Sequence, residues 1–186
     1  HVGIVMIYFA FAGAAYNVDE RQHMLPGDQV DITSPFGHTY TLTYEGLSVS
    51  LGRGQRNLLW QAIATVSVEQ DGVAKGILTT EKRQYVTSDQ LMTEVGIRQT
   101  VREDLYLILS AMDDVDGALS ANSAAQGIDL QVLVKPFVAW IWYGGLILAL
   151  GTVIALWPSV DRRRRSTLPE LEAVTTSAPA LAGAAR

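Results

Sequence analysis

Hydrophobic positions concentrate in two stretches of the chain, one at its start and one near its end. The second stretch, 137–157 (FVAWIWYGGLILALGTVIALW), holds 21 residues without a charge. At about 1.5 Å of rise per residue, a helix of this length is roughly 30 Å long, which matches the hydrocarbon core of a bilayer. Aromatic residues near both ends, such as Trp142 and Trp157, are typical of the headgroup level. We therefore predict the last transmembrane helix at 136–158.

Four consecutive arginines, Arg162 to Arg165, follow this stretch. By the positive-inside rule they place that end of the helix in the cytoplasm. They also disfavour the alternative of a buried helix in a soluble protein. The last residues, from Thr167 onward, are rich in Ala, Pro, Thr and Ser without an apolar period, which is typical of disorder. We assign 159–186 to an Arg-rich segment followed by a disordered cytoplasmic tail.

The first hydrophobic stretch, 2–15, is too short to cross a membrane by itself. A signal-peptide core has a similar length, but the positively charged leader is missing and Asn17-Val18-Asp19-Glu20 is a poor cleavage context. We expect 1–16 to be the C-terminal portion of a transmembrane helix that begins outside this sequence. The chain would then be a fragment of a larger membrane protein.

The segment 17–135 between these helices has the two-residue alternation of β-strands. Gln70-Asp71-Gly72 predicts a hairpin turn, and 111–127, rich in Ala, Ser, Asp and Gly, predicts an exposed loop. About six or seven short strands predict an all-β domain, and alternation alone leaves a small barrel and a sandwich both open. The predicted strands lie at 29–32, 39–49, 58–69, 73–80, 95–100, 105–110 and 129–134.

The charge of this segment suggests on which side of the membrane it lies. It carries nine Lys and Arg against 16 Asp and Glu, a net charge of −7, which suits a loop opposite the arginine-rich end. In a bacterial inner membrane that side is the periplasm. The predicted fold class is a membrane-protein fragment, in which two transmembrane α-helices, the first truncated, flank an all-β periplasmic domain.

The composition excludes several classes of function. A net charge of −5 and a pI near 5.1 give no support to a nucleic-acid partner. Zero cysteines exclude a disulfide scaffold, a Cys-ligated metal and a Cys nucleophile. A mean hydropathy of +0.17 excludes a chain that is disordered throughout. The common motifs of serine hydrolases, zinc proteases and nucleotide-binding loops do not occur.

The three histidines fall in different settings. His23 lies in a polar stretch just beyond the first predicted helix, and His38 comes after the turn-forming Pro35-Phe36-Gly37. We therefore expect both to be exposed or turn residues. His1 precedes 14 apolar residues and would lie within the hydrocarbon. An ionisable side chain there needs a partner, and a neutral imidazole is a common axial ligand of haem iron. A packing histidine that bonds to a neighbouring helix is the equal alternative.

Two charged motifs in the β-segment, Glu81-Lys82-Arg83-x-Tyr85 and Met92-Thr93-Glu94, also have two interpretations. Glu81-Lys82-Arg83-x-Tyr85 fits a solvated strand edge. It also fits a contact surface for a haem propionate or a protein partner, with Arg83 as the anion anchor. We expect the acids of Glu103-Asp104 to solvate a strand edge.

Eight short motifs, in this order, resemble the C-terminal part of the CcmF family of haem lyase subunits and their NrfE relatives. The resemblance covers nearly the whole chain up to Pro158. The motifs are His1-Val2-Gly3-Ile4, Asn17-Val18-x-Glu20-Arg21, Gly27-Asp28-x-Val30-Asp31-Ile32, Glu81-Lys82-Arg83-x-Tyr85, Met92-Thr93-Glu94, Asp104-Leu105-Tyr106, Lys135-Pro136-Phe137-Val138 and Trp140-Ile141-Trp142-x-Gly144-Gly145.

The resemblance implies a haem-handling, multi-pass protein of the bacterial inner membrane. Such proteins act with a CcmH-type apocytochrome-binding subunit and the haem chaperone CcmE to attach haem covalently to apocytochrome c in the periplasm. They also hold a haem b between two transmembrane histidines, and His1 falls on the second of these. The other histidine, the periplasmic haem ligands and a Trp-rich segment lie outside this sequence, so we assign no catalytic residue and expect the fragment alone to be inactive.

Two functions stay open at this point. The chain is either the C-terminal part of a haem lyase subunit for c-type cytochrome biogenesis, or a non-catalytic, membrane-anchored periplasmic β-domain that acts as an assembly or interaction module. The role of His1 separates the two.

Overall fold

The computed structural model describes residues 1–52, 57–120 and 123–157. The segment predicted to be cytoplasmic, 159–186, lies outside the described residues. Two apolar helices flank nine strands in the described chain. In chain order the elements are α1 (Val2–Gly13), β1 (Val18–Met24), β2 (Gln29–Thr33), β3 (Thr39–Leu51), β4 (Leu58–Gln70), β5 (Val73–Tyr85), β6 (Ser88–Glu94), β7 (Gly96–Arg98), β8 (Glu103–Met112), α2 (Val115–Ser120), β9 (Ile128–Pro136) and α3 (Val138–Leu156).

The strands form two antiparallel sheets that pack face to face. One sheet has the order β1-β9-β8-β7 and the other the order β2-β3-β4-β5-β6. Alternate residues of each strand point into the space between the sheets, as the two-residue period predicts. Leu105, Leu107 and Leu109 of β8, for example, are fully buried against Tyr44 and Val66 of the other sheet's strands. Of the two architectures that the sequence left open, the sandwich is correct.

Most predicted strands are confirmed, and several are longer than predicted. β5 runs on to Tyr85, whereas the strand predicted at 95–100 contains only the three residues of β7. The predicted hairpin turn joins β4 to β5. Its central residues Asp71 and Gly72 both have positive φ, 52° and 74°, as the tight turns of antiparallel hairpins require.

Three elements differ from the predictions. β1 and β6, each an edge strand of its sheet, were not predicted; β1 carries the polar residues Asp19, Arg21 and His23 on its exposed positions, which hides its alternation. The segment 111–127 is not simply an exposed loop. It contains α2, and Ala118 of this helix is only 4% exposed because it packs onto the sandwich core.

The two long helices lie side by side. In the described chain, α3 is the one helix long and apolar enough to cross a membrane, while the apolar helical segment Val2–Tyr16 is shorter. The helices approach most closely at Gly3 and Gly144. A Cβ atom on Gly144 would lie 2.7 Å from the Gly3 carbonyl oxygen, so neither position has room for a side chain.

An aromatic cluster joins the helices to the sandwich. Phe137 precedes α3 in a left-handed backbone conformation (φ 62°), and its amide donates to the Arg102 carbonyl at 2.8 Å. Its ring packs against Phe9 of α1, Phe36 of the β2–β3 turn and Trp140 of α3, at centroid distances of 4.7, 5.2 and 5.6 Å. The start of α3 is thereby held against one end of the sandwich.

Candidate functional site

His1 lies at the far end of α1 from the sandwich, about 12 Å along the helix axis from Phe9 of the aromatic cluster. It borders a groove of about 500 Å³ between α1 and α3. The size is within the range of small-molecule and cofactor sites. The groove is lined by His1, Val2, Gly3, Ile147, Leu148, Gly151, Thr152, Ala155 and Leu156.

The groove is apolar apart from two side chains. The hydroxyl of Thr152 donates to the Leu148 carbonyl at 2.9 Å, so it is satisfied within its own helix. This leaves the imidazole of His1 as the group that can bind a ligand there. Gly3, Gly151 and Ala155 carry little or no side chain, and this opens the space beside the imidazole. The groove thus offers one nitrogen ligand among apolar walls, and no cluster of three His, Cys, Asp or Glu side chains able to hold a metal occurs among the described residues.

The other two histidines belong to the sandwich and lie far from this groove in the chain's fold. His23 is exposed, as expected, but on β1 rather than in a loop. Its Nδ1 lies 2.9 Å from Asp129 and its Nε2 lies 3.6 Å from Asp113. The hydrogen bond to Asp129, and then the charge of Asp113, raise the pKa of His23.

His38 follows the β2–β3 turn, as predicted. Its Nδ1 lies 2.7 Å from the Asp71 carboxylate, which also accepts a hydrogen bond from the Thr39 amide at 2.9 Å. The Thr39 amide first, and His38 second, lower the pKa of Asp71. His38 therefore ties two turns together at the end of the sandwich.

Arg83 is engaged within the sandwich. Its guanidinium donates to Glu81 and to Glu94, each at 2.6 Å. The neighbouring Lys82 points to the other sheet, where its Nζ donates to the Ser110 carbonyl, and burial lowers its pKa. These contacts favour the structural interpretation of the charged motif over an anion anchor at Arg83.

Glu103 and Asp104 do not solvate a strand edge, and that prediction is wrong. They are 2% and 1% exposed. Glu103 lies between the sheets, where its Oε1 accepts a hydrogen bond from the Tyr40 hydroxyl at 2.9 Å. Burial, and then this bond, raise the pKa of Tyr40.

Asp104 points to the opposite face of β8, under the loop that joins β7 to β8. Its carboxylate accepts hydrogen bonds from the Thr100 amide at 3.0 Å and the Tyr106 hydroxyl at 3.4 Å. Burial raises the pKa of Asp104, and the Thr100 amide partly opposes that shift. Sequence reasoning missed this group because two adjacent acids at the start of a strand look like a solvated end; only the fold of the loop buries them.

A second cavity, of about 310 Å³, lies beside Asp104. We call it the interfacial notch. It separates the β7–β8 loop from the first two turns of α3, and no sequence pattern predicts it, because its two sides are about 40 residues apart. It is lined by Gln99, Thr100, Val101, Asp104, Ala139, Trp142 and Tyr143.

Comparison with known proteins identifies the family. The model of the CcmF C-terminal β-sandwich matches residues 15–136, from the end of α1 to the end of β9. The chain belongs to the CcmF family. The matched range agrees with the sandwich as the structure describes it.

Curated CcmF relatives match most of the chain. The cytochrome c-type biogenesis protein CcmF of Escherichia coli (strain K12) is 32% identical over 174 residues, which are 91% of this chain and 24% of that protein. The CcmF of Pseudomonas fluorescens is 31% identical over 167 residues, 89% of this chain and 22% of that protein. The chain thus spans about a quarter of the length of the curated CcmF proteins that it matches.

A solved structure, titled cytochrome c heme lyase CcmF, has the same fold. It matches with a TM-score of 0.56 at 19% sequence identity and covers 84% of this chain and 24% of that one. At this sequence identity the match is evidence about the fold only, and it supports a CcmF-like fold for this chain.

Proposed function

We propose that this chain is the C-terminal part of a haem-handling membrane protein for c-type cytochrome biogenesis. Its family membership and the names of its relatives support this role. The observation that carries the haem proposal is His1, which offers an imidazole to an apolar groove between two helices.

The proposed arrangement places α1 and α3 across a bacterial inner membrane, with the sandwich in the periplasm and the C-terminus in the cytoplasm. Large apolar residues face outward along both helices, for example Val5 and Tyr8 of α1 and Leu150 and Ile154 of α3, each at least half exposed. Water would disfavour such a surface, whereas lipid or neighbouring helices would cover it. The net charge of −7 over 17–135 suits the outer side.

Within this arrangement His1 would be one axial ligand of haem b. A second histidine, from a part of the protein outside this chain, would also hold the haem. The apolar walls of the groove would exclude water from the metal, which binds an imidazole in its neutral form. A bound haem supplies one-electron redox chemistry at its iron.

The proposed partners follow from the family. They are a CcmH-type apocytochrome-binding subunit, the haem chaperone CcmE and apocytochrome c, with haem attachment in the periplasm carried out by the complete protein. The acidic sandwich offers these partners a surface on the periplasmic side. The alternative, a non-catalytic assembly module, keeps the same surface but needs no haem at His1.

Replacement of His1 separates the two functions. In the complete protein, we expect His1→Ala to remove the absorbance bands of b-type haem, because the iron loses an axial ligand. His38→Ala is the matched control, since that imidazole lies in the sandwich and bonds to Asp71; its spectrum should equal that of the wild type. An unchanged haem spectrum in the His1 variant would refute the haem role and leave the assembly module.

A further inference from the structure

Hydrogen bonds within the protein hold the interfacial notch in its shape. The indole Nε1 of Trp140 donates to the Val101 carbonyl at 3.0 Å, and the Phe137 amide donates to the Arg102 carbonyl at 2.8 Å. These two bonds hold Val101 and Arg102 of the β7–β8 loop against the start of α3. The cavity between loop and helix is therefore a fixed feature of the fold rather than a gap between mobile parts.

The residues that line the notch favour a positively charged ligand. Asp104 closes one side, and its carboxylate is held by the Thr100 amide and the Tyr106 hydroxyl. Trp142 and Tyr143, which are 75% and 46% exposed, form the other side. Aromatic faces beside a carboxylate attract an ammonium group, and no lysine or arginine is among the lining residues to attract a phosphate.

The nearest lysine does not fill this role itself. Lys135 is the cross-strand partner of Asp104, but its ammonium lies over the ring of Tyr106, 5.1 Å from the centroid. Burial raises the pKa of the Asp104 carboxyl, and the hydrogen bonds from Thr100 and Tyr106 partly oppose that shift. A positive charge entering the notch would offset the cost of burying this carboxylate.

The position of the notch along α3 indicates the source of the cation. Its helix residues, Ala139 to Tyr143, lie within about 8 Å of the start of α3 along the helix axis. If α3 spans the membrane as proposed above, this is the level of the lipid headgroups on the periplasmic side. The cation available there in a bacterial membrane at high density is the primary ammonium of a phospholipid headgroup.

We propose that the interfacial notch binds the ammonium headgroup of phosphatidylethanolamine. The site would anchor the sandwich to the outer leaflet beside the last helix. The proposal rests on the membrane placement of α3 in the proposed function, but not on haem binding at His1.

The test uses the complete protein purified in detergent, with lipid binding measured by native mass spectrometry. Phosphatidylethanolamine is titrated against two lipids with the same acyl chains: phosphatidylglycerol, and phosphatidylethanolamine whose amine has been acetylated to a neutral amide. We expect the first lipid to bind at least about fivefold more tightly than either of the others, which is the size of a moderate cation–π contact.

Two variants and a control locate the site. Trp142→Leu and Asp104→Asn should each weaken phosphatidylethanolamine binding by about fivefold. Asn keeps an acceptor for the Thr100 amide, so the loop should stay folded, which circular dichroism checks. Trp157→Leu is the control, because Trp157 is equally exposed, 73%, at the opposite end of α3; it should leave the binding unchanged.

The outcomes distinguish this proposal from the membrane placement on which it depends. Equal binding of the three lipids, or binding that neither Trp142→Leu nor Asp104→Asn weakens, would overturn the notch as an ammonium site while the protein remains lipid-bound. A protein that retains no phospholipid of any kind would instead overturn the membrane placement of α3. Selective binding that only the two notch variants weaken would support the proposal.

Discussion

At the scale of single residues, Glu103 shows how strongly a buried carboxylate depends on one donor. It is 2% exposed, and its Oε1 accepts from the Tyr40 hydroxyl across the two sheets. Its other oxygen, Oε2, has no hydrogen-bond partner among the described residues. The hydrogen bond from the Tyr40 hydroxyl is therefore the direct interaction that compensates for the free-energy cost of burying this carboxylate.

Tyr40→Phe should destabilise the sandwich by about 3 kcal/mol, because the carboxylate would keep its desolvation cost and lose its donor. The matched variant Tyr44→Phe removes a hydroxyl that donates to the neutral Gln126 carbonyl at 3.0 Å. It should cost about 1 kcal/mol. Denaturant unfolding of both variants measures the two losses, and equal losses would contradict the dependence of Glu103 on Tyr40.

At the scale of elements, the contact between α1 and α3 depends on glycine at particular positions. The backbones approach so closely at Gly3 and Gly144 that the Cβ of either residue would lie within 3 Å of the other's carbonyl oxygen. Gly145, the next residue in the chain, has no atom within 4 Å of its Cβ position. Close approach through small residues is how helices pack in lipid, where dispersion contacts replace the hydrophobic effect.

Adjacent glycines provide a controlled test of this contact. Gly144→Ala should lower the unfolding temperature in detergent, because the methyl group would force the helix backbones apart at a cost of about 1–3 kcal/mol. Gly145→Ala should keep or raise that temperature, because alanine is the better helix former by about 1 kcal/mol. If both substitutions changed the unfolding temperature equally, the helices would not cross at Gly144.

At the scale of the whole molecule, exposed ion pairs link parts of the sandwich that are distant in sequence. His23 joins β1 to Asp129 of β9 and to Asp113 after β8, while His38 joins the β2–β3 turn to Asp71. Exposed pairs contribute little individually, and salt screens them. They nevertheless affect how the stability of the sandwich changes with pH, since they raise the pKa of His23 and lower the pKa of Asp71.

The pH dependence near neutrality should come from His23. Its pKa is raised from 6.5, so its contribution is complete below about pH 6.5 and is lost as the pH rises through the folded-state pKa. Asp71 has a lowered pKa, so its contribution is lost only as the pH falls below 3.8. Thermal unfolding of the wild type and His23→Gln should therefore differ most near pH 5 and converge above about pH 8.

Asp129→Asn is the control for this profile. It removes the carboxylate whose hydrogen bond is the largest cause of the raised His23 pKa. Over the same pH range, the unfolding temperature of this variant should change less with pH than that of the wild type. A difference between wild type and His23→Gln that stays constant from about pH 5 to pH 8 would contradict this assignment.

The sequence by itself determined the features that depend only on consecutive residues. The uncharged run that forms α3, the alternation in β3, β4 and β9, and the turn at Asp71-Gly72 each follow from a local pattern, because helix length and strand alternation are properties of a short stretch of chain. His1 was also a candidate from sequence, since an ionisable residue beside an apolar run is visible without a fold. The haem b ligand role of His1 remains a prediction.

The features that only the tertiary structure decided join residues far apart in the chain. Alternation does not choose between a barrel and a sandwich, because both bury every second residue; the pairing of β1 with β9, and of β2 with β3, makes two open sheets. The edge strand β6, the buried Asp104 and the interfacial notch depend on which segments pack against them. Packing of this kind depends on contacts between distant segments, and no periodicity along the chain records it.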